Sequence, residues 1–129
     1  MEVKARETVV LAVDQPALVQ WYVDVLGFTI TRAFSESYHY TNLRNTSGIE
    51  LGIAVAEQMG VQPLPLRARH ATVLLQFAVA DVKGFLAHIE ANGGAVTLGP
   101  SFDERFGFWY GGFTDPEGNP YWIYDENCP

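Results

Sequence analysis

The order of elements read along the first half of this chain is read again along the second. A β-branched run at residues 8–13 predicts a largely buried strand. Asp14-Gln15-Pro16 follows as a helix start, and Leu18, Trp21, Tyr22 and Val25 recur at helical spacing over 17–26 until Gly27 stops the helix. Strands are predicted at 28–34, 38–43 and 49–55, with turns at 35–37 and 44–48. Residues 57–69 hold Gly60, Pro63 and Pro65 without periodicity and read as a connector. Then comes a strand at 71–79, a helix capped by Asp81 with Val82, Phe85, Leu86 and Ile89 facing inward, and a stop at Asn92-Gly93-Gly94. Strands at 95–98, 108–114 and 121–125 complete the set, the last two joined by a tight turn at Asp115-Pro116-Glu117-Gly118-Asn119. Ala12-Val13 matches Ala78-Val79 at an offset of 66, Gly27 matches Gly94 at 67, and Gly48 matches Gly118 at 70. The expected architecture is α+β, two βαβββ modules in tandem over about 7–56 and 70–126.

A chain of 129 residues with 48% hydrophobic content suits one domain with a sizeable core. Eight Lys and Arg against fifteen Asp and Glu leave a formal net charge of −7. That surface repels phosphate backbones and acidic lipid headgroups, so nucleic acid and membrane partners are not expected. Cys128 is the single cysteine, which excludes an internal disulfide and a Cys-based zinc site. The initial residues lack the apolar run of a signal peptide, and no stretch approaches the roughly 20 apolar residues of a spanning helix. A soluble, reduced, cytoplasmic protein is expected.

Leu11-Ala12-Val13 with Trp21 through Phe28 resembles the opening of the vicinal oxygen chelate superfamily, which includes glyoxalase I, extradiol dioxygenases and the bleomycin resistance proteins. In the second half, Phe77-Ala78-Val79-Ala80-Asp81-Val82, Asn92-Gly93-Gly94 and Phe113 through Asn119 follow in the family's order. The resemblance implies curved mixed sheets around a cleft, pairing of two chains into a homodimer, and ligand sites in the clefts. In the family's enzymes it implies a divalent metal held from the first and last strand of each module. Carried over, the four ligand positions are Thr8, Glu50, Leu74 and Trp122. Only Glu50 is a plausible ligand, and one carboxylate cannot fix a metal. Glu7 lies one step from Thr8, hence on the opposite strand face, and His70 lies about 13 Å from Leu74 at roughly 3.3 Å per residue. Neither a catalytic residue nor a metal or other cofactor is therefore expected.

Trp122 reads as a stacking wall for a planar ligand, or else as a plug in a disused cleft. In the aromatic run 106–110, alternation separates Phe108 and Tyr110 from Trp109. Aligned with the family's approach to the Asp-Pro turn, Trp109 and Phe113 fall on the cleft side, while Phe108 and Tyr110 read as structural. Glu50, in an apolar strand, reads as an anchor for a cationic or donor group, or as the partner of Arg44 or Arg105. His39, Tyr40 and Phe106 complete the expected ligand-binding set at the cleft rim. His88 reads as helix surface, His70 as half-exposed, and Cys128 as part of a fraying tail. The expectation is a metal-free homodimer that sequesters an aromatic or cationic, antibiotic-like small molecule. The alternative is a metal-dependent lyase, isomerase or dioxygenase of the same superfamily.

Overall fold

Asp14 starts the first helix by accepting a hydrogen bond from the Ala17 amide at 3.2 Å, and Asp81 does the same for the Gly84 amide at 3.0 Å in the second. The computed structural model describes residues 1–62 and 73–129, so His70 and the start of the strand expected at 71–79 lie outside the described residues. The chain divides into two units, Met1–Leu64 and Pro65–Pro129.

The first unit runs β1 (Thr8–Ala12), α1 (Gln15–Asp24), β2 (Thr29–Phe34), β3 (Tyr40–Arg44) and β4 (Glu50–Val55), then a 3-10 turn at Glu57–Met59. Its sheet has the order β1-β4-β3-β2, parallel between β1 and β4 and antiparallel elsewhere. Leu18, Val19 and Tyr22 of α1 are buried with Val10, Ala12, Leu43, Leu51 and Ile53 of the sheet. The expected helix face shifts, for Trp21 and Val25 are only half-buried while Gln15 is 5% exposed. The Gln15 amide donates to Thr41 Oγ1 at 2.8 Å and to the Ile53 carbonyl at 3.1 Å, which satisfies a polar group inside the core. β3 begins two residues later than predicted because the His39 amide donates to Gln58 Oε1 rather than to a neighbouring strand.

The second unit repeats this order as β5 (Leu75–Ala78), α2 (Val82–Ala91), β6 (Ala95–Asp103), β7 (Phe108–Thr114) and β8 (Pro120–Tyr124), with sheet order β5-β8-β7-β6. Val82, Leu86 and Ile89 of α2 are buried with Phe77, Phe113, Tyr121 and Ile123. Phe113 stacks on Tyr121 at a centroid distance of 5.0 Å and meets Phe85 edge-on at 5.4 Å. β6 runs five residues beyond the predicted strand. Gly99-Pro100 reads as a break in sequence, but the ladder absorbs it as register shifts between Val96 and Ser101 and resumes at Ser101↔Tyr110.

Helix and sheet meet closely at Gly111, where a Cβ would lie 2.7 Å from Leu86 Cδ1 and 2.9 Å from the Leu98 carbonyl oxygen. Gly111→Ala is expected to lower the unfolding free energy by about 1–3 kcal/mol, the usual cost of overpacking, measured by urea denaturation. An unchanged urea midpoint would contradict that fit.

The connecting turns show the repeat most clearly. Asn45 Oδ1 accepts from the Ile49 amide at 2.8 Å, and Asp115 Oδ1 accepts from the Asn119 amide at 3.0 Å. In each turn a glycine three residues after the acceptor, Gly48 or Gly118, takes a positive φ, 88° or 85°. Among the described residues no helix is long and apolar enough to cross a membrane.

Candidate functional site

Strand pairing decides which side chains of the second sheet share a face. Gly112 pairs with Trp122, Tyr110 with Tyr124, Ser101 with Tyr110 and Asp103 with Phe108. These residues therefore project away from α2, whereas Trp109, Phe113, Tyr121 and Ile123 project toward it. On the side away from α2 lies a cavity of about 420 Å³, bordered by Phe108, Tyr110, Trp122 and Tyr124 with Leu98, Gln76, Asp103 and Cys128. The volume falls in the range of small-molecule pockets. The Trp122 indole is 46% exposed beside it. Its Cδ1 lies close over Gly112, where a Cβ would approach to 3.2 Å.

This arrangement reverses the expected division of the aromatic run. Phe108 and Tyr110, read as structural, stand with Trp122 at the cavity. Trp109 and Phe113, read as cleft residues, stand on the helix side. Phe113 is 0% exposed in the core. Trp109 lies under Lys83 of α2, whose Nζ is 3.9 Å from the ring centroid. The physical reason is that every position from 108 to 110 is aromatic, so alternation carries no polar contrast and only the Gly112↔Trp122 pairing settles the face.

Phe106 sits at the tip of the β6–β7 hairpin, 53% exposed, with the Arg105 guanidinium carbon 5.0 Å from its ring centroid; it does not border the cavity. Cys128 does border it, and the segment around it is tied rather than frayed. Asp125, 8% exposed, accepts from the Trp109 amide at 3.1 Å and the Asn127 amide at 3.1 Å, and its carbonyl accepts from the Cys128 amide.

The first unit presents a different, polar surface. A cavity of about 340 Å³ is bordered by Glu7, Arg32, Asn42, Arg44 and Glu50. Glu50 is exposed, so its carboxylate carries no burial cost. The expected partnership with Arg44 is not formed, since among the described residues of the first unit the one ion pair within 4 Å joins Lys4 and Glu2. Glu7, set aside on the counting from Thr8, borders this cavity. Thr8 shares the helix-side face of buried Val10 and Ala12, and stepping back from those two would have placed Glu7 correctly. Glu7 accepts from the Tyr40 hydroxyl at 2.6 Å and from the Asn42 amide at 3.1 Å to each carboxylate oxygen. Tyr40 crosses Gly52, where a Cβ would collide with its phenol ring. His39 is exposed and is held to Gln58 rather than lining either cavity.

Burial, the hydrogen bond to Glu7 and the Glu7 charge together push the Tyr40 phenol from 10.0 up to about 12. A raised pKa means the folded state holds this proton more tightly than the unfolded one. The corresponding stabilisation is complete below pH 10 and is lost as pH rises toward 12. The ultraviolet titration difference between wild type and Tyr40→Phe is therefore expected to centre near pH 12. A difference centred at the ordinary value of 10.0 would contradict the bond.

The donor set does not fit the metal centre that the resemblance implies for enzymes. Among the described residues no three His, Cys, Asp or Glu side chains gather. Trp122 stands at the last-strand position, and an indole N–H donates but does not ligate. Paired with it on β5 is Gln76, and Leu74 precedes that strand half-buried.

The family model that matches the sequence is that of the Glyoxalase/Bleomycin resistance protein/Dioxygenase superfamily, over residues 5–123. No curated protein matches. Among solved structures, a hypothetical protein from S. aureus aligns with a TM-score of 0.75 at 18% identity, covering 97% of this chain and 95% of that one. A glyoxalase family protein from Enterococcus faecalis aligns at 0.71 and 24% identity, covering 94% and 96%. The genomically encoded fosfomycin resistance protein FosX from Listeria monocytogenes aligns at 0.69 and 10% identity, covering 97% and 94%. At these identities the structures establish a shared fold.

Proposed function

The chain belongs to the glyoxalase/bleomycin resistance protein/dioxygenase superfamily, and within it we propose a protein that binds and sequesters a flat, largely apolar small molecule without a metal. The observation that carries this reading is the half-exposed Trp122 indole, set with Phe108, Tyr110 and Tyr124 around a 420 Å³ cavity. A plug would bury its indole; this one keeps nearly half of its surface in water beside open space. Flat aromatic ligands gain from such a surface by apolar burial and, beyond the buried area, by offset stacking worth about 0.5–1.5 kcal/mol per ring pair. Sequestration asks for nothing more than burial and a few polar anchors, which Gln76 and the two tyrosine hydroxyls supply. The drug-resistance names within the family and on one neighbour are in keeping with that role.

The test is a panel of polycyclic aromatic compounds titrated into the purified protein while tryptophan emission is followed, with elemental analysis alongside. Saturable quenching by some members, with no stoichiometric metal, supports sequestration. No response to any compound overturns it. So does a metal near one per chain that is lost in Glu50→Ala, which would favour a metal-dependent enzyme.

A further inference from the structure

We infer that Asp103 makes the aromatic cavity selective for organic cations, so that the ligand is a flat aromatic ring system carrying a positive charge. This rests on the cavity being the binding site, and it adds the ligand's charge and the residue that reads it. The Asp103↔Phe108 pairing directs the carboxylate to the same sheet face as Phe108, Tyr110 and Trp122. Asp103 borders the cavity with them, and among the described residues there it is the one formally charged side chain, with no Lys, Arg or His present.

The local chain holds the carboxylate in place without neutralising it. Asp103 Oδ1 accepts from the Phe106 amide at 2.9 Å, and the Asp103 carbonyl accepts from the Gly107 amide, which closes the hairpin. No described residue donates to Oδ2, and the nearby Arg105 guanidinium lies against Phe106. One oxygen thus fixes the group while the other remains available to a ligand.

The surrounding rings act in the same direction. Aromatic faces carry negative quadrupole potential and attract cations, most strongly where water is excluded. They also lower the local dielectric, so a carboxylate at their edge acts more strongly than one in bulk water. A neutral flat ligand would use the rings alone. An anion would meet Asp103 and the ring faces with no compensating cation, in a chain whose net charge is already −7.

The test compares two ligands of one ring shape by isothermal titration calorimetry at pH 8: acridine, which is neutral there, and 10-methylacridinium, which is permanently charged. Wild type is expected to bind the cation about 10-fold more tightly at low salt, the scale of one partly screened charge pair near a protein surface. The gap is expected to narrow as salt screens the pair. Asp103→Asn keeps the Oδ1 acceptor for the Phe106 amide and should bring the two affinities together, erasing the preference. Cys128, the single cysteine, supplies a local readout, since bound cation should slow its alkylation.

Equal affinities in wild type, or a preference that survives Asp103→Asn, would overturn the assignment of Asp103 while leaving the cavity as the binding site. Binding of neither compound, together with no response to the wider aromatic panel, would remove the cavity reading and this inference with it.

Discussion

Replacing Trp122 with alanine is expected to weaken binding of a flat aromatic ligand by roughly 30-fold or more, corresponding to the 2 kcal/mol or greater loss typical of a central aromatic anchor. The paired control is Trp109→Phe, for which affinity should stay within about threefold of wild type, as the ring lies on the other sheet face under Lys83. Fluorescence cannot report equally on both variants, because each removes one indole, so calorimetry is the appropriate measurement. Trp122 contributes little to the core, being 46% exposed, and Trp122→Ala should unfold near the wild-type urea midpoint. A binding defect in that variant would then be a defect of the site. The opposite pattern, with Trp109→Phe losing the ligand and Trp122→Ala keeping it, would sink the proposed site.

The second large effect concerns stability. Asp115 is 1% exposed, and its carboxylate accepts from the Glu117 amide at 2.9 Å, the Asn119 amide at 3.0 Å and the Asn119 side chain at 2.8 Å. Asp115→Ala deprives those donors of their acceptor in a closed turn and is expected to cost about 2–4 kcal/mol, read from urea unfolding. Asp115→Asn should cost less, since Asn45 serves the corresponding turn of the first unit through its own Oδ1. Its amide nitrogen cannot replace the oxygen that Asn119 needs, so some loss should remain. Equal losses for alanine and asparagine would show that charge, rather than the acceptor at Oδ1, holds the turn.

The fold was legible wherever a residue type has one physical reason to be where it is. Asp14 and Asp81 cap helices, Gly27 permits the positive φ after the first, and Gly48 and Gly118 do so in the matched turns. The repeat needed no more than these markers and the apolar runs between them. β6 was underestimated because Gly99-Pro100 carries the signature of a break, and no local signal reveals that a ladder resumes beyond it.

The candidate site was legible in part. Trp122 could be singled out because it falls at the last-strand ligand position, four residues after Gly118, but its companions could not. Phe108, Trp109 and Tyr110 are interchangeable in hydrophobicity, so the face each takes is set by pairing across to β8. Asp103 was not singled out, because the strand predicted at 95–98 stops short of it while β6 runs on to Asp103. Glu7 was missed because the ligand position was counted five residues back from Val13, which lands on Thr8, whereas buried Val10 and Ala12 fix the helix-side face and leave Glu7 on the other. Its partners Tyr40 and Asn42 come from β3, more than thirty residues away, and such a meeting follows from topology alone.

The sheet orders also bear on how the chain is made. Within each unit, among the described residues, the first strand pairs with the last: β1 with β4 and β5 with β8. A ribosome delivers β5 well before β8, so the Leu75–Ala78 segment leaves the exit tunnel with an unpaired edge. The antiparallel β6–β7 hairpin is local and can form at once, but the parallel pair must wait for Pro120–Tyr124. Until then Phe77 lacks its partner strand within its own unit, and a nascent chain paused in that window is a natural client for holdase chaperones.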